Sequence, residues 1–344
     1  MAERRRPRLR DERITLAHGA GGKATHDLVE ALFLEAFGND VLADLGDSAV
    51  LHAPAGRLAL TTDSYVVRPL TFPGGDIGEL AVNGTVNDLA VAGARPLWLS
   101  AGFVLEEGLP VAELRELVVS MAGAARRAGV VVVAGDTKVV ERGKADGLYI
   151  TTAGVGVLEH ELVLEPTRIR PGDRVLLSGT LADHGMAVMI ARGDLRLEGD
   201  VASDTAPVHE LAAALIDLGE ALRWMRDPTR GGLATALNEA AGQAGLGLRI
   251  REAALPVRPA VAAACEILGI DPLYAACEGR LVAFVAGEEA EAALAAMRSH
   301  PFGRGAAIIG NVRAQPCGLV LLKTQFGGTR IVDMLVGDPL PRIC

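Results

Sequence analysis

The chain has 344 residues, 50% of them apolar but only 3% aromatic, with 22% charged and a formal net charge of −9. That length suits two ordinary domains with Ala/Val/Leu cores, and the acidic balance argues against a dedicated nucleic-acid binder, which needs a basic footprint. No apolar run reaches the roughly 18 residues of a membrane helix, the charged start Met1-Ala2-Glu3-Arg4-Arg5-Arg6 lacks the apolar stretch of a secretory signal, and four cysteines without a Cys-x-x-Cys pair point to a reduced, cytoplasmic setting.

Residues 1–15 are polar and basic and read as a loose arm. A glycine cluster, His18-Gly19-Ala20-Gly21-Gly22-Lys23, precedes an amphipathic helix predicted over 26–37, with Leu28, Val29, Leu32, Phe33 and Phe37 at helical spacing and Thr25 as its N-cap. Short strands are predicted at 49–51 and 58–60, the second running into Thr61-Thr62-Asp63. A helix over 77–92, a strand over 97–104 and a helix over 111–128 follow. A buried strand at 130–134 ends at Gly135-Asp136-Thr137-Lys138, and a strand over 148–157 closes the first unit. Pro166 and Pro171-Gly172 mark a linker near 160–172. The second unit repeats the rhythm: strand 175–178, helices 185–192 and 207–219, and Asp227-Pro228-Thr229-Arg230-Gly231-Gly232 opening a helix to 244. Strand 248–252, helix 259–268, strand 280–286, helix 289–299 and strand 307–312 complete it. The segment 318–344 reads as an extended tail, since two prolines close together near its end oppose a helix. The expected organisation is an N-terminal arm, loop and helix (1–42), a first α/β domain (43–160), a second (170–317) and the tail.

Several groups of residues can carry chemistry. Asp47, Asp63, Asp88 and Asp136 stand where strands end or helices start, and Asn83, Asn87 and Asp88 share a helix at spacings that bring them close together. Hard oxygens converging from several elements suit Mg²⁺ and a polyphosphate, although each aspartate is locally just as good a turn former or cap. Asn-Gly and Asn-Asp are poor helix formers, so something other than propensity selects them. Gly21 and Gly22 can offer backbone N–H groups to phosphate at a helix start. The stretch is no P-loop, because Ala17 and Ala24 replace its first glycine and its hydroxyl. A flexible loop explains it equally well. Asp227 and Arg230 flank a rigid proline, and Glu278 follows Cys277 at a strand mouth, a candidate base if desolvated and otherwise a turn carboxylate. Cys344, on an extended tip, is a poor structural feature and a good swinging carrier. It is not a prenylation signal, which needs cysteine four from the end. The seven histidines show no tight metal spacing.

Taken together, Gly46-Asp47-Ser48-Ala49-Val50, Thr61-Thr62-Asp63-Ser64, Val82-Asn83-Gly84-Thr85-Val86-Asn87-Asp88, Ala134-Gly135-Asp136-Thr137-Lys138 and Arg226-Asp227-Pro228-Thr229-Arg230-Gly231-Gly232 resemble a known ATP-binding superfamily. It includes aminoimidazole ribonucleotide (AIR) synthetase, selenophosphate synthetase and thiamine-monophosphate kinase. Within it, His18-Gly19-Ala20-Gly21-Gly22, Asp183-His184-Gly185-Met186 and the ending Pro341-Arg342-Ile343-Cys344 are similar to the carbamoyl dehydratases of hydrogenase maturation, the HypE family. The resemblance runs colinearly from about residue 13 to 344. It implies a two-domain PurM-like α/β fold of α+β sandwiches, a homodimer whose first domains join into a barrel-like core, and ATP near that interface. A carbamoyltransferase, HypF, would load Cys344. ATP would phosphorylate the amide oxygen, a base would take an N–H proton, and phosphate would leave. The resulting cyano group would pass to iron on HypC–HypD, for nickel–iron hydrogenase. Mg²⁺ on Asp47, Asp63 and Asp88, charge stabilisation by Lys138 and Arg230, and Glu278 as base are the implied roles.

Overall fold

A computed structural model of the protein describes residues 9–43, 45, 48–193, 200–335, 337, 340 and 342–344. The first domain opens with helix α1 (Lys23–Leu28), prolonged by a π turn (Val29–Phe33) and Leu34–Phe37. Then come β1 (Arg57–Tyr65), α2 (Ile77–Val91), β2 (Arg95–Glu106), α3 (Val111–Arg127), β3 (Val131–Val140) and β4 (Leu148–Leu158). The four-stranded sheet has the order β1-β4-β2-β3. β2 and β3 pair in parallel and the other neighbours antiparallel. β1 and β3 are therefore its two edges, which decides where the candidate site residues fall.

α3 is amphipathic in the ordinary way, with Leu114, Leu117, Val118, Met121 and Ala125 buried at intervals of three and four. α2 is different. It is apolar on nearly every side because the sheet, α3 and the second domain enclose it, and its polar Asn83, Thr85 and Asn87 are buried with it. Side chains so enclosed must find hydrogen-bond partners. Asp76 caps the helix, accepting from the backbone N–H groups of Gly78 and Glu79 at 2.8 and 2.9 Å.

The second domain carries β5 (Arg174–Leu177), α4 (Asp183–Ala191), α5 (His209–Ile216), β6 (Leu222–Arg226), α6 (Gly232–Ala244) and β7 (Gly247–Arg251). α7 (Pro259–Leu268), β8 (Val282–Val285), α8 (Ala290–Ser299), β9 (Ala307–Arg313), β10 (Val320–Lys323) and β11 (Thr329–Val332) complete it. Its seven-stranded sheet has the order β11-β10-β7-β9-β5-β8-β6. One continuous core joins both domains, running from Leu80 and Val86 on α2 to Met186, Leu233 and Phe284. A smaller cluster of Leu211, Leu215, Met225, Leu294 and Met297 fills the space under β6 and β8. Among the described residues, no helix is long and apolar enough to cross a membrane.

Several expectations need correcting. The arm is not loose over 9–15: Ile14 is buried, and its N–H donates to the Leu109 carbonyl at 2.8 Å. The first helix starts at Lys23 with Gly22 as N-cap, not at Thr25. The Thr25 hydroxyl folds back instead, accepting from the Gly21 N–H at 2.9 Å and donating to the Ala17 carbonyl. No strand forms at 49–51, where Val50 is 89% exposed and has nothing to pack against. β3 does not stop before Asp136 but runs to Val140, because its parallel pairing with β2 continues through Glu106↔Val140. β6 escapes a pattern reading because Leu-Arg-Trp-Met-Arg is short and lacks alternation. The segment expected as tail from 318 contributes β10 and β11 to the sheet.

Candidate active site

Five segments meet around a cavity of about 140 Å³. Strand alternation puts Thr61, Asp63 and Tyr65 of β1 on one face, where they meet α2. The Thr61 hydroxyl donates to Asp88 at 2.7 Å, and the Tyr65 hydroxyl donates to Asp63 at 3.2 Å. Gly84 has to be glycine, since a Cβ there would run into the Tyr65 ring and hydroxyl. Asp63 and Asp88 therefore share the cavity as like charges. Burial, and then the charge of Asp88, raises the Asp63 carboxyl above its usual range.

The Asp227-Pro228-Thr229-Arg230 turn supplies a second wall. Gly231 and Gly232 take φ of +76° and +61°, a left-handed turn that delivers the chain into α6. Asp227 is buried, and desolvation together with the charge of Asp88 pushes it up to about 7. Arg230 is the nearby counter-charge and favours the ionised forms of Asp63 and Glu278. Glu278 closes the floor. It is 2% exposed, and its Oε1 has no hydrogen-bond partner among the described residues. Burial first, then Asp227, Asp204 and Asp63, hold its carboxyl well above the ordinary value. Its own backbone is pinned: the N–H donates to Asp204 at 3.2 Å, and the carbonyl accepts from the Asn87 amide at 3.1 Å.

The fifth segment is the C-terminus. Cys344 lines the cavity with Asp63, Asp88, Arg230 and Glu278. The tip, expected to swing, is docked: Val67 and Ile343 form an antiparallel bridge, and the Val66 N–H donates to the Cys344 carbonyl at 3.2 Å.

The other site residues expected from the sequence lie elsewhere. Asn83 and Asn87 turn away from the cavity and hold the two domains together. The Asn83 amide donates to Thr205 at 3.1 Å, and that of Asn87 to the Ala206 carbonyl at 3.0 Å. Asn87 Oδ1 also accepts from the Val208 N–H at 2.8 Å. Asp136 and Lys138 form an exposed ion pair at 2.9 Å on edge strand β3, across the sheet from β1. Asp136 lines a second cavity of about 250 Å³, between the N-terminal helix and β3. Gly21 and Gly22 sit at that same edge, where Gly19 packs against Val139. Asp47 lies outside the described residues. Among those described, no cluster of three or more His, Cys, Asp or Glu is arranged to hold a metal ion. Tyr65 and Asp204 were not found from the sequence: Tyr65 is an ordinary strand residue until its hydroxyl meets Asp63 and Thr85, and Asp204 acts on Glu278, far along the chain.

A pH prediction arises from the buried carboxyls. The unfolded chain holds Asp227 near its usual 3.8, whereas the folded state binds the proton up to about 7. Folded stability therefore declines as pH rises through that window and levels off above it. Asp63 and Glu278 are shifted the same way and add to the slope. Asp227→Asn is expected to remove on the order of 3 kcal/mol of the stability lost between about pH 5 and pH 8. Urea unfolding midpoints at the two pH values measure it, and equal slopes in variant and wild type would contradict it.

Residues 45–158 match the family model for the N-terminal domain of AIR synthase related proteins, and residues 170–321 match that for the C-terminal domain. A "Carbamoyl dehydratase HypE" of Rhodobacter capsulatus is 57% identical over 338 residues, covering 98% of this chain and 99% of that one. The crystal structure of a hydrogenase maturation protein HypE in complex with ATP superposes with a TM-score of 0.92 at 47% identity, covering 96% of this chain and 99% of that one. A HypE chain from a HypE-HypF complex superposes with a TM-score of 0.79 at 48% identity, covering 91% and 100%. With both domains and nearly its whole length matched, the chain belongs to the HypE carbamoyl dehydratase family, built from two AIR synthase related domains.

Proposed function

We propose that this protein catalyses the ATP-dependent dehydration of a carbamoyl group carried on the Cys344 sulfur, turning an S-carboxamide into an S-cyanate. The observation that carries the reading is the position of Cys344 in one cavity with Asp63, Asp88, Arg230 and Glu278. An amide oxygen is a poor leaving group, and transfer of the γ-phosphoryl of ATP to it gives a good one. The C–O bond then breaks with loss of both N–H protons, so ADP, phosphate and the protein thiocyanate account for every atom. Glu278 is the candidate proton acceptor. Its unpartnered oxygen and the raised proton affinity that burial gives it suit a group that takes up a proton from the substrate. Arg230 also suits the charge that gathers on the transferred phosphoryl group.

Mg²⁺ fits the donor set. Asp63 and Asp88 are paired carboxylates whose mutual repulsion already raises Asp63, and a divalent cation supplies the missing counter-charge through hard oxygen ligands. These two would hold it, with Asp47 as the third candidate, and the ion would neutralise charge on phosphate oxygens.

Asp136, Lys138, Gly21 and Gly22 enter this reading through a second copy of the chain. They lie at the β3 edge, while Asp63 lies on the β1 edge. A two-fold dimer that sets each β1 edge beside its partner's β3 edge would join the two sets around one nucleotide. Leu58 and Leu60 on β1 and Val131 on β3 are exposed at 54%, 76% and 39%, apolar surface that such a closure would cover. The carbamoyl group would come from the carbamoyltransferase HypF in the cytoplasm, and the cyano group would leave for the iron of HypC–HypD.

Intact-mass measurement tests the reaction. Incubation with HypF and its carbamoyl donor is expected to add one carbamoyl group, mapped to Cys344. Added MgATP should then remove the mass of one water. An adduct elsewhere, or one that keeps its full mass with MgATP, defeats the proposal.

A further inference from the structure

We propose that His184 is a positioning residue that seats the C-terminal tail for the chemical step, an inference that rests on Cys344 being the carrier. His184 stands in the first turn of α4 within Asp183-His184-Gly185, and its side chain is fully buried. Nδ1 lies 2.8 Å from the Ser203 hydroxyl and Nε2 lies 2.5 Å from the Ile343 carbonyl. A carbonyl only accepts, so Nε2 carries the proton and Nδ1 accepts from Ser203. The ring cannot turn freely. The Phe72 ring meets it edge-on at 5.3 Å, and the Ser203 oxygen is itself fixed by the Thr205 N–H at 3.1 Å. Burial lowers the His184 pKa, which keeps the ring in the neutral form with a single donor that this arrangement needs.

The remainder of the seat shows why this bond matters. The Arg68 N–H and the Arg192 guanidinium donate to the Arg342 carbonyl at 3.2 and 2.6 Å, and the Val66 N–H donates to that of Cys344. Arg342 is held at φ +56°, a left-handed conformation that a non-glycine residue keeps only when its surroundings impose it. The Ile343 side chain is 5% exposed in a socket. Its carbonyl belongs to the peptide unit that carries the Cys344 nitrogen. Fixing that plane fixes the position of the Cys344 Cα, the point about which its sulfur can swing. His184 is the residue that grips this plane from inside the protein. The Arg342–Asp146 ion pair at 3.0 Å holds the tail only from the surface, where solvent weakens it.

The test uses full-length protein in a Cys317→Ser background, because Cys317 is exposed and does not line the cavity. Two rates are read: site-resolved alkylation of the unloaded Cys344 thiol, and single-turnover dehydration of the carbamoylated protein. For His184→Ala, alkylation is expected to rise about tenfold and dehydration to fall about tenfold, the shift that one buried hydrogen bond of about 1.4 kcal/mol produces. ATP affinity should stay at the wild-type value. His184→Gln keeps a donor at the same reach and should restore most of both rates, which a merely space-filling role would not require. Unchanged alkylation, or faster alkylation with unchanged dehydration, overturns the proposal. If His184→Ala does not fold, Ser203→Ala, which frees the ring to rotate, must show the same pair of changes in smaller measure, and their absence is equally fatal. Because alkylation needs no turnover, failure of the wild type to dehydrate would count against the proposed reaction and leave the seat standing.

Discussion

Cys344→Ala is expected to abolish both carbamoyl loading and product formation while leaving nucleotide binding in place. The reasoning is local. The cavity walls come from β1, α2, the 227–230 turn and Glu278, and Cys344 adds one partly buried side chain at the edge of the core. Its loss removes no helix or strand, and a single small side chain at the edge of the core goes with it, so the thermal midpoint should move little. Turnover should drop at least ~10³-fold, because no other group can hold the covalent intermediate. Cys265 and Cys277 are buried, and burial raises both thiols, the first to about 11. Neither can substitute. Steady-state phosphate release with the loading system present is the measurement. Wild-type turnover by the variant would mean that the enzyme works on a free small molecule, and the carrier idea would be wrong.

Glu278→Gln should separate chemistry from stability in one substitution. The neutral amide keeps the shape and can still hydrogen-bond, but it cannot take up a proton. Removing a general base costs typically 10²–10⁴ in rate, so single-turnover dehydration is expected to slow by roughly 10² or more, with ATP affinity little changed. Stability should move the other way. Glu278 is buried with one oxygen unpartnered, among Asp227, Asp204 and Asp63, and folding must either desolvate its charge or retain its proton. Glutamine escapes that penalty, so at about pH 8 the variant is expected to unfold at a higher temperature than wild type. Calorimetry and rapid-quench kinetics on the same preparation give both answers. A slower enzyme that is also less stable would identify Glu278 as a structural carboxylate whose loss disturbs the floor of the cavity.

Much of this arrangement is legible in the sequence, for reasons that can be named. Apolar spacing locates α3 and α7 nearly to the residue, because each buries one stripe against one neighbour. Asp63, Asp88, Arg230, Glu278 and Cys344 stand out through the family resemblance of the segments that carry them, since local propensity explains most of them equally well as turns and caps. They converge although they come from five places along the chain. Legibility fails where a residue's partner is remote. Asn83 and Asn87 read as ligands because they are polar on an apolar helix. Only the docking of the second domain reveals that their amides are met by residues 205–208 and by Glu278. Asp136 and Lys138 look equivalent to Asp63 in a linear reading, and strand order alone shows that they occupy opposite edges. The His184–Ile343 contact spans 159 residues; both ends lie in recognisable segments, but nothing in either segment says that they meet.

The Asn87 amide, bonded at once to Ala206 and to Glu278, has a kinetic corollary. It ties the floor of the cavity to a helix of the other domain, so opening that seam would break buried polar pairs together and strand them without water. Access for the cargo therefore cannot come cheaply from a jaw-like gape between the two halves. The vessel stays rigid and the lightest part travels, residues 342–344 leaving the Val67–Ile343 bridge and the few hydrogen bonds around it. Shuttling between enzymes should then be fast compared with domain-scale motion, and its tempo should depend on how long the loading partner keeps hold of these residues.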